Sequence, residues 1–531
     1  MTAADLLPML VAVPLLAAFV ATLLPGVAAR RAVGLVVNAG VLVAAVVLVV
    51  ATRDGDVVVA QVAGWPAGIA IPLAADPLSA LMVLVASLLV TTCLAFAAAS
   101  GDDRDRWFVP LALVLSGGVY GAFVTADLFN LFVLVEVALL PSYVLLTAGA
   151  RREQLRAGRI YLSVNLLGST ILLAGIALLY GVTGTVNLGE LAGAAADSDA
   201  AALAAGVVLV AFGVKAALVP AHGWLPATYP AAPPAVTALF SGLLTKIGVY
   251  ALFRVYAVVF DGDARLSNVL LVVFLATMVV GVLGALGEGR MRSILVFHMI
   301  SQVGYILLGL SFFGLLGVTA GIFYFLHHTV VKASLLLSAG AVETATGTDR
   351  LDRLGGLARR EPLLAVAFLV AALSLAGLPP FSGFIAKLVL VRAAFAEQAY
   401  LAAGLAVGVS LFTLLSMMKI WNGVFWGEAP QDRHPERVPT TSPPLPRTEE
   451  AQDAPEAPAT LAAYRADAAR RSGSVPLTGA RMRSSLVWPG AVLAAVSIAV
   501  GLGAELVLQL AETAAAGLVD PSAYVEAVSG Q

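Results

Sequence analysis

A single cysteine, Cys93, stands in this chain of 531 residues. It lies in an apolar run with no metal-ligand spacing around it, so neither an internal disulfide nor a thiolate metal site is expected. Charge is scarce too: Asp, Glu, Lys and Arg make up 12% of the residues, about half the share of a soluble protein. No Walker-type phosphate loop, Cys-x-x-Cys or His-Glu-x-x-His occurs. Gly284-Ala-Leu-Gly287-Glu-Gly289 loosely evokes a dinucleotide loop, but it ends an apolar span with no strand before it. No metal site is read, and no cofactor is expected. The net charge of −2 gives no reason to expect nucleic acid as a partner. The Met1-Thr2-Ala3-Ala4-Asp5 start lacks a basic n-region, so no cleaved signal peptide is expected.

Apolar residues are what the chain has instead, 60% of the total, with a mean hydropathy of +0.94. A spanning helix takes about 20 apolar residues. Fourteen such stretches predict an all-α polytopic membrane protein, with spans at 6–24, 32–51, 73–99, 107–125, 127–149, 158–182, 200–220, 235–258, 266–286, 292–312, 316–341, 362–395, 399–426 and 486–510. The twelfth is too long for one straight helix and contains Leu378-Pro379-Pro380-Phe381-Ser382-Gly383. Two adjacent prolines remove two backbone donors, so this helix is expected to be discontinuous around a polar or hydrated cavity. With the N-terminus outside, the odd-numbered loops hold 22 of the 26 arginines and the even-numbered loops only Arg53, Arg254, Arg265 and Arg392. This asymmetry predicts both termini outside, and it persists at 14 against 4 without the segment 427–485. That segment holds nine of the 27 prolines and almost no aromatics, so a flexible cytoplasmic loop is expected there, with a short helix near Thr460 to Arg471. The expected organisation is residues 1–100 as three leading spans, 101–426 as a core, 427–485 as the loop and 486–531 as a last span and tail.

The few lysines are sorted. All five (Lys215, Lys246, Lys332, Lys387 and Lys419) lie in apolar segments, whereas every arginine is read in a connection or at a span end. A GC-rich genome would account for the missing surface lysines, but not for those left in apolar surroundings. Arg keeps its proton in any protein environment, while desolvated Lys releases it readily. Ionisable groups at membrane depth are costly and mark function, so the pattern predicts proton handling. Glu136, near the middle of its span, needs a cationic partner, and Lys215 is the candidate; a static ion pair is the competing reading. Lys246 sits at the centre of the eighth span. His328 and Lys332 are four apart and share a helix face, with His327 adjacent, and this His-His-x-x-x-Lys cluster suits a relay. His298 fits relay or packing equally. Lys387 follows the Pro-Pro break and should border its cavity. Lys419, beside Trp421 and Trp426, reads as snorkelling to the interface. His222 reads as part of a short cytoplasmic connection, either a proton entry group or merely solvated.

These residues resemble the antiporter-like subunits shared by respiratory complex I, membrane-bound hydrogenases and multi-subunit Mrp cation/proton antiporters. The likeness covers roughly residues 70–426 and is strongest to the family of Mrp D-type subunits. It rests on Trp224-Leu-Pro through Lys246-Ile-Gly-Val-Tyr, on Phe297-His298-Met-Ile-Ser-Gln-Val-Gly-Tyr305 and on Leu378-Pro-Pro-Phe-Ser-Gly-Phe-Ile-Ala-Lys387. The resemblance implies two inverted five-helix repeats (spans 4–8 and 9–13), with spans 7 and 12 discontinuous; the best candidate for the break in span 7 is near Gly213. It implies proton transfer through Glu136, Lys215, Lys246, His327, His328, Lys332 and Lys387, coupled to Na+ or K+. It also implies a hetero-oligomer in the lipid bilayer, with the Mrp components lettered A, B, C, E, F and G as partners. The chain would then be a secondary transporter component and not an enzyme. A proton-pumping component of a complex I-like oxidoreductase or hydrogenase is the alternative, and an inert membrane scaffold a third. The 427–485 loop is longer than that family leads one to expect.

Overall fold

The computed structural model describes residues 2–65, 70–427 and 482–530. The expected loop and its short helix fall almost entirely outside the described residues.

Eleven helices among the described residues are long and apolar enough to cross a membrane, and the shorter Phe108–Val124 with two broken helices brings the spans to fourteen. Spans 1 to 3 are Ala3–Leu23, Val27–Thr52 and Pro77–Ser100. An antiparallel hairpin, Val58–Gln61 with Pro72–Ala75, joins the second to the third. Spans 4 to 8 are Phe108–Val124, Leu128–Thr147, Arg152–Thr183, a broken span beginning with Asp199–Lys215, and Pro234–Val258. Spans 9 to 13 are Ala264–Gly287, Met291–Ser311, Leu315–Thr346, a broken span of Pro362–Ala376 and Ser382–Ala396, and Tyr400–Ile420, which continues as a π-helical turn to Trp426. Span 14 is Ser484–Leu502, followed by helices Ala504–Val519 and Ser522–Ser529.

The two five-helix repeats match element by element. The third helix of each, span 6 and span 11, runs for 32 residues, and the fourth is broken in both. In the first repeat the connection after its first helix meets the connection after its third through an Asp127–Asn187 backbone bridge; in the second, Arg290 and Arg350 form the equivalent bridge. Five helices separate the two bridges, an odd number, so they lie on opposite faces of the membrane, as inversion requires. Spans 8 and 11 form the axis of the chain: every residue from Ala235 to Val258 and from Gly317 to Val342 is buried.

One expectation is refined and one needs correction. Span 7 breaks two residues past Gly213. Its first half continues to Lys215 and ends in Ala216–Val219, before the short turns Ala221–Gly223 and Trp224–Thr228. Lys215 therefore terminates the first half-helix, at the break within span 7, and His222 lies partly exposed in the broken stretch. Arg254 is not at a loop. It lies inside span 8, 1% exposed, and its guanidinium donates to Asp76 Oδ1 at 2.7 Å.

Candidate functional site

The first repeat assembles a three-membered polar bridge at its broken helix. The C-terminal carbonyls of a helix attract cations, and Lys215 is the last residue of its half-helix. Its ammonium donates to Ser169 Oγ of span 6 at 2.8 Å, and the Ser169 hydroxyl donates to Glu136 Oε1 of span 5. The direct ammonium–carboxylate distance is 3.7 Å, so the serine carries the tighter links. Small residues bring the backbones together. A Cβ on Gly248 would stand 2.9 Å from Ala216 N and 3.0 Å from Phe212 O, which places span 8 directly against the break. Trp224 Nε1 donates to Val214 O at 3.0 Å, beside the turn bond from Ala217 N at 3.1 Å, and so ties the short helix after the break to the half-helix before it. A small cavity with room for roughly one water lies beside it, lined by Leu139, Tyr161, Asn165, Lys215, Trp224 and Gly248.

The axis of the chain holds Lys246, His328 and Lys332, each fully buried. Neither ammonium nor either ring nitrogen of His328 has a hydrogen-bond partner among the described residues. Buried polar groups of this kind take ordered water as partners. His328 is within electrostatic reach of Lys246, Lys332, His327 and His298, and Lys332 of Lys246. His298 joins span 10 to span 13 through Ser416 Oγ at 2.5 Å.

The second break gathers the remaining groups. His327 and His328 are neighbours in sequence but face different partners. His327 Nδ1 meets Ser382 Oγ at 2.8 Å, and Ser382 closes a ring of hydroxyls with Ser374 and Ser497 at 3.0 to 3.2 Å. Ser497 comes from span 14, outside both repeats. Lys387 donates to Ala376 O at 2.9 Å and to Ser410 Oγ at 2.8 Å, and its ammonium lies 5.1 Å from the centre of the Tyr305 ring. Tyr305 stacks on Tyr324 at 5.2 Å, and Tyr324 meets His327 edge-on at 5.7 Å. Lys387 and His327 are thus joined through aromatic rings. Gly377 makes the arrangement possible: its φ is +87°, and a Cβ there would stand 2.6 Å from Lys387 Cδ. Gly377→Ala should therefore cost about 1–2 kcal/mol for the left-handed backbone alone and displace Lys387. A lower melting temperature of the purified complex, with reduced flux, checks this.

All seven residues singled out from the sequence are in these three groups, with Glu136 the most exposed, its side chain at 25%. Lys419 is elsewhere: it donates to Leu286 O at 2.9 Å and Glu288 O at 2.6 Å, capping the end of span 9 from an exposed position. Ser169, Ser374, Ser382, Ser410, Ser497 and Tyr324 join the site only in the structure, since isolated hydroxyl residues in apolar runs carry no spacing signal. The buried ion pair Asp76–Arg254 likewise has no local signature in the sequence.

The sequence profile of the family described as "NADH:quinone oxidoreductase/Mrp antiporter, TM" matches residues 125–413. The chain is 40% identical over 395 residues to the D component of the Na(+)/H(+) antiporter of Alkalihalophilus pseudofirmus, covering 73% of this chain and 80% of that one. It is 32% identical over 471 residues to the protein of the same name in Bacillus subtilis, covering 88% and 87%. A chain in the solved structure of the Mrp complex from Dietzia sp. DQ12-45-1b superposes with a TM-score of 0.89 at 50% identity, over 100% of both chains.

Proposed function

We propose a transport role from one premise: the chain belongs to the NADH:quinone oxidoreductase/Mrp antiporter transmembrane family. It is the proton-translocating D-type component of a multi-subunit Na+/H+ antiporter, a multi-pass membrane protein that works among the other components of an Mrp complex. Its role is secondary transport and not catalysis of a chemical reaction. The observation that carries this reading is the run of buried ionisable groups through two inverted, broken-helix repeats. That run begins at Glu136 and Lys215, passes through Lys246, His328 and Lys332, and ends at His327 and Lys387. Each lysine can take up and release a proton, and water can bridge the unpartnered nitrogens. The charge state of the Glu136–Lys215 pair sets the field felt by Lys246, one helix away.

The core extends over 101–426, flanked by spans 1–3 and by span 14. Arginine placement supports both termini outside and the 427–485 segment in the cytoplasm. Leaving the buried arginines Arg30, Arg254 and Arg292 out of the count keeps the asymmetry, at 12 against 3. Potassium is the alternative cargo to sodium. The test is sodium-driven proton flux of the purified complex in proteoliposomes. Lys246→Ala should stop it with assembly intact, and unchanged flux would remove the axis from the pathway.

The hydroxyl ring gives a finer expectation. If all three protons of Ser374, Ser382 and Ser497 are shared within the ring, His327 Nδ1 must be the donor, leaving Nε2 as acceptor. Ser497→Ala opens the ring and frees Ser382 to donate to His327, so the tautomer balance should move toward Nε2–H. Nitrogen NMR of labelled histidine reads this directly, and an unchanged spectrum would show the ring to be packing only.

A further inference from the structure

Lys246, Tyr250 and Arg254 lie at i, i+4 and i+8 of span 8 and so form one stripe, which runs from the middle of the chain toward the face that carries the β-hairpin and the C-terminal helices. Over those eight residues the helix rises roughly 12 Å. The Tyr250 hydroxyl, on the middle step, donates to Phe123 O at 2.7 Å and lies 2.9 Å from Ser79 Oγ. On the last step Arg254 Nη2 donates to Asp76 Oδ1 at 2.7 Å, with Tyr250 Oη at 3.2 Å and Ser79 Oγ at 3.3 Å. Asp76 is fixed in turn, because it caps span 3 by accepting from Ser79 N at 2.9 Å. Tyr524 of the last helix covers the guanidinium, its ring centre 4.4 Å from Cζ. All the partners are buried: Asp76 at 2%, Ser79 at 0%, Tyr250 at 2% and Tyr524 at 3% exposure.

Apart from Arg30 and Arg292, which lie in the first turns of spans 2 and 10, every other buried basic group in the described spans is a lysine or a histidine, and can pass a proton on. Arg254 cannot, because a guanidinium stays protonated and has no lone pair to accept with. Resting on the transport reading above, we propose that Arg254 is an insulating residue. Clamped by Asp76 and Tyr524, it closes the stripe above Lys246 so that a proton on Lys246 cannot escape to this face and must pass to His328 and Lys332. Coupling needs such a stop. Tyr250 offers a hydroxyl one step from Lys246, and a titratable group beyond it would complete a short circuit across the first repeat.

The competing explanation is a structural ion pair tying span 3 to span 8, and the two predict opposite orders for a pair of variants. Arg254→Lys keeps the positive charge opposite Asp76 but supplies a group that releases protons. Arg254→Gln combined with Asp76→Asn keeps hydrogen-bonding shape and removes both charges, leaving nothing titratable. The assay is passive proton leak under an imposed pH gradient, without sodium, for the whole complex in proteoliposomes. An insulator predicts a severalfold rise in leak for Arg254→Lys, a tight membrane for the neutral pair, and return to tightness when Lys246→Ala is added to Arg254→Lys. Arg254→His, also titratable, is the second variant should the lysine form not assemble, and leak is expected there too. Wild-type tightness in whichever of these two assembles, or a leak that survives Lys246→Ala, overturns the proposal. Sodium-dependent exchange by the wild type, measured in the same vesicles, tests the transport reading separately: its absence would count against transport, whereas the leak decides the seal.

Discussion

Lys387→Arg is expected to stop sodium-driven proton flux almost as completely as Lys387→Ala, a loss of roughly a hundredfold or more if the residue hands on the proton itself. The geometry makes this substitution informative. The ammonium is held by Ala376 O, which the break of span 12 leaves free, and by Ser410 Oγ, and both acceptors could serve a guanidinium equally well. Charge and anchoring would survive, and only the ability to let the proton go would be lost. A residue that merely balances charge would tolerate the exchange. Arginine is also bulkier, and Gly377 shows how little space surrounds the side chain. Lys387→Glu separates size from chemistry, since a carboxyl cycles its proton in a smaller volume. It should retain partial flux. Flux is measured in everted vesicles and normalised to assembled complex. Full activity of the arginine form would end the carrier role of Lys387.

Hydropathy is sufficient to find all fourteen spans, because each needs its own run of apolar residues and the bilayer fixes the length. The second break is legible for a similar reason: Pro379-Pro380 removes donors that a helix cannot do without. The first is legible only to within a few residues, because no proline pair marks it and a glycine looks like the weak point of its span. The helix in fact passes through Gly213 and stops after Lys215, ahead of Pro220 and Gly223. Lysine positions expose the candidate site because desolvated charge is expensive wherever it sits. Arg254 escapes because it lies four residues from the end of span 8 and resembles a terminal arginine. Its partner, Asp76, is 178 positions away in the chain. The serines are illegible for the same cause. Ser382 finds Ser497 across 115 residues and Ser169 finds Lys215 across 46, and no local pattern records such contacts.

At the first break the expected order of damage is Glu136→Ala and Glu136→Gln together at the bottom, Ser169→Ala between, and wild type at the top. Glu136→Ala takes away the counter-charge of a lysine whose side chain is only 5% exposed, and removing one member of a buried pair typically costs about 3–5 kcal/mol. The half-helix terminus and Ser169 would still hold Lys215, so assembly is expected with little or no flux. Glu136→Gln is the sharper variant, since an amide can still pair with Ser169 but carries no charge. If the pair works as an ion pair whose field reaches Lys246, Gln should be as inactive as Ala. If only the hydrogen-bonded shape matters, Gln should transport normally. Ser169→Ala removes the 2.8 Å link to Lys215 but leaves both charges, 3.7 Å apart, free to close directly. The loss should then be that of one charge-assisted hydrogen bond, about 1.5–3 kcal/mol, with flux reduced but present. The three variants are compared by sodium-driven proton flux per assembled complex. Normal flux in Glu136→Gln, with Ser169→Ala the more damaged of the two, would make the hydroxyl bridge the working part and the carboxylate charge dispensable.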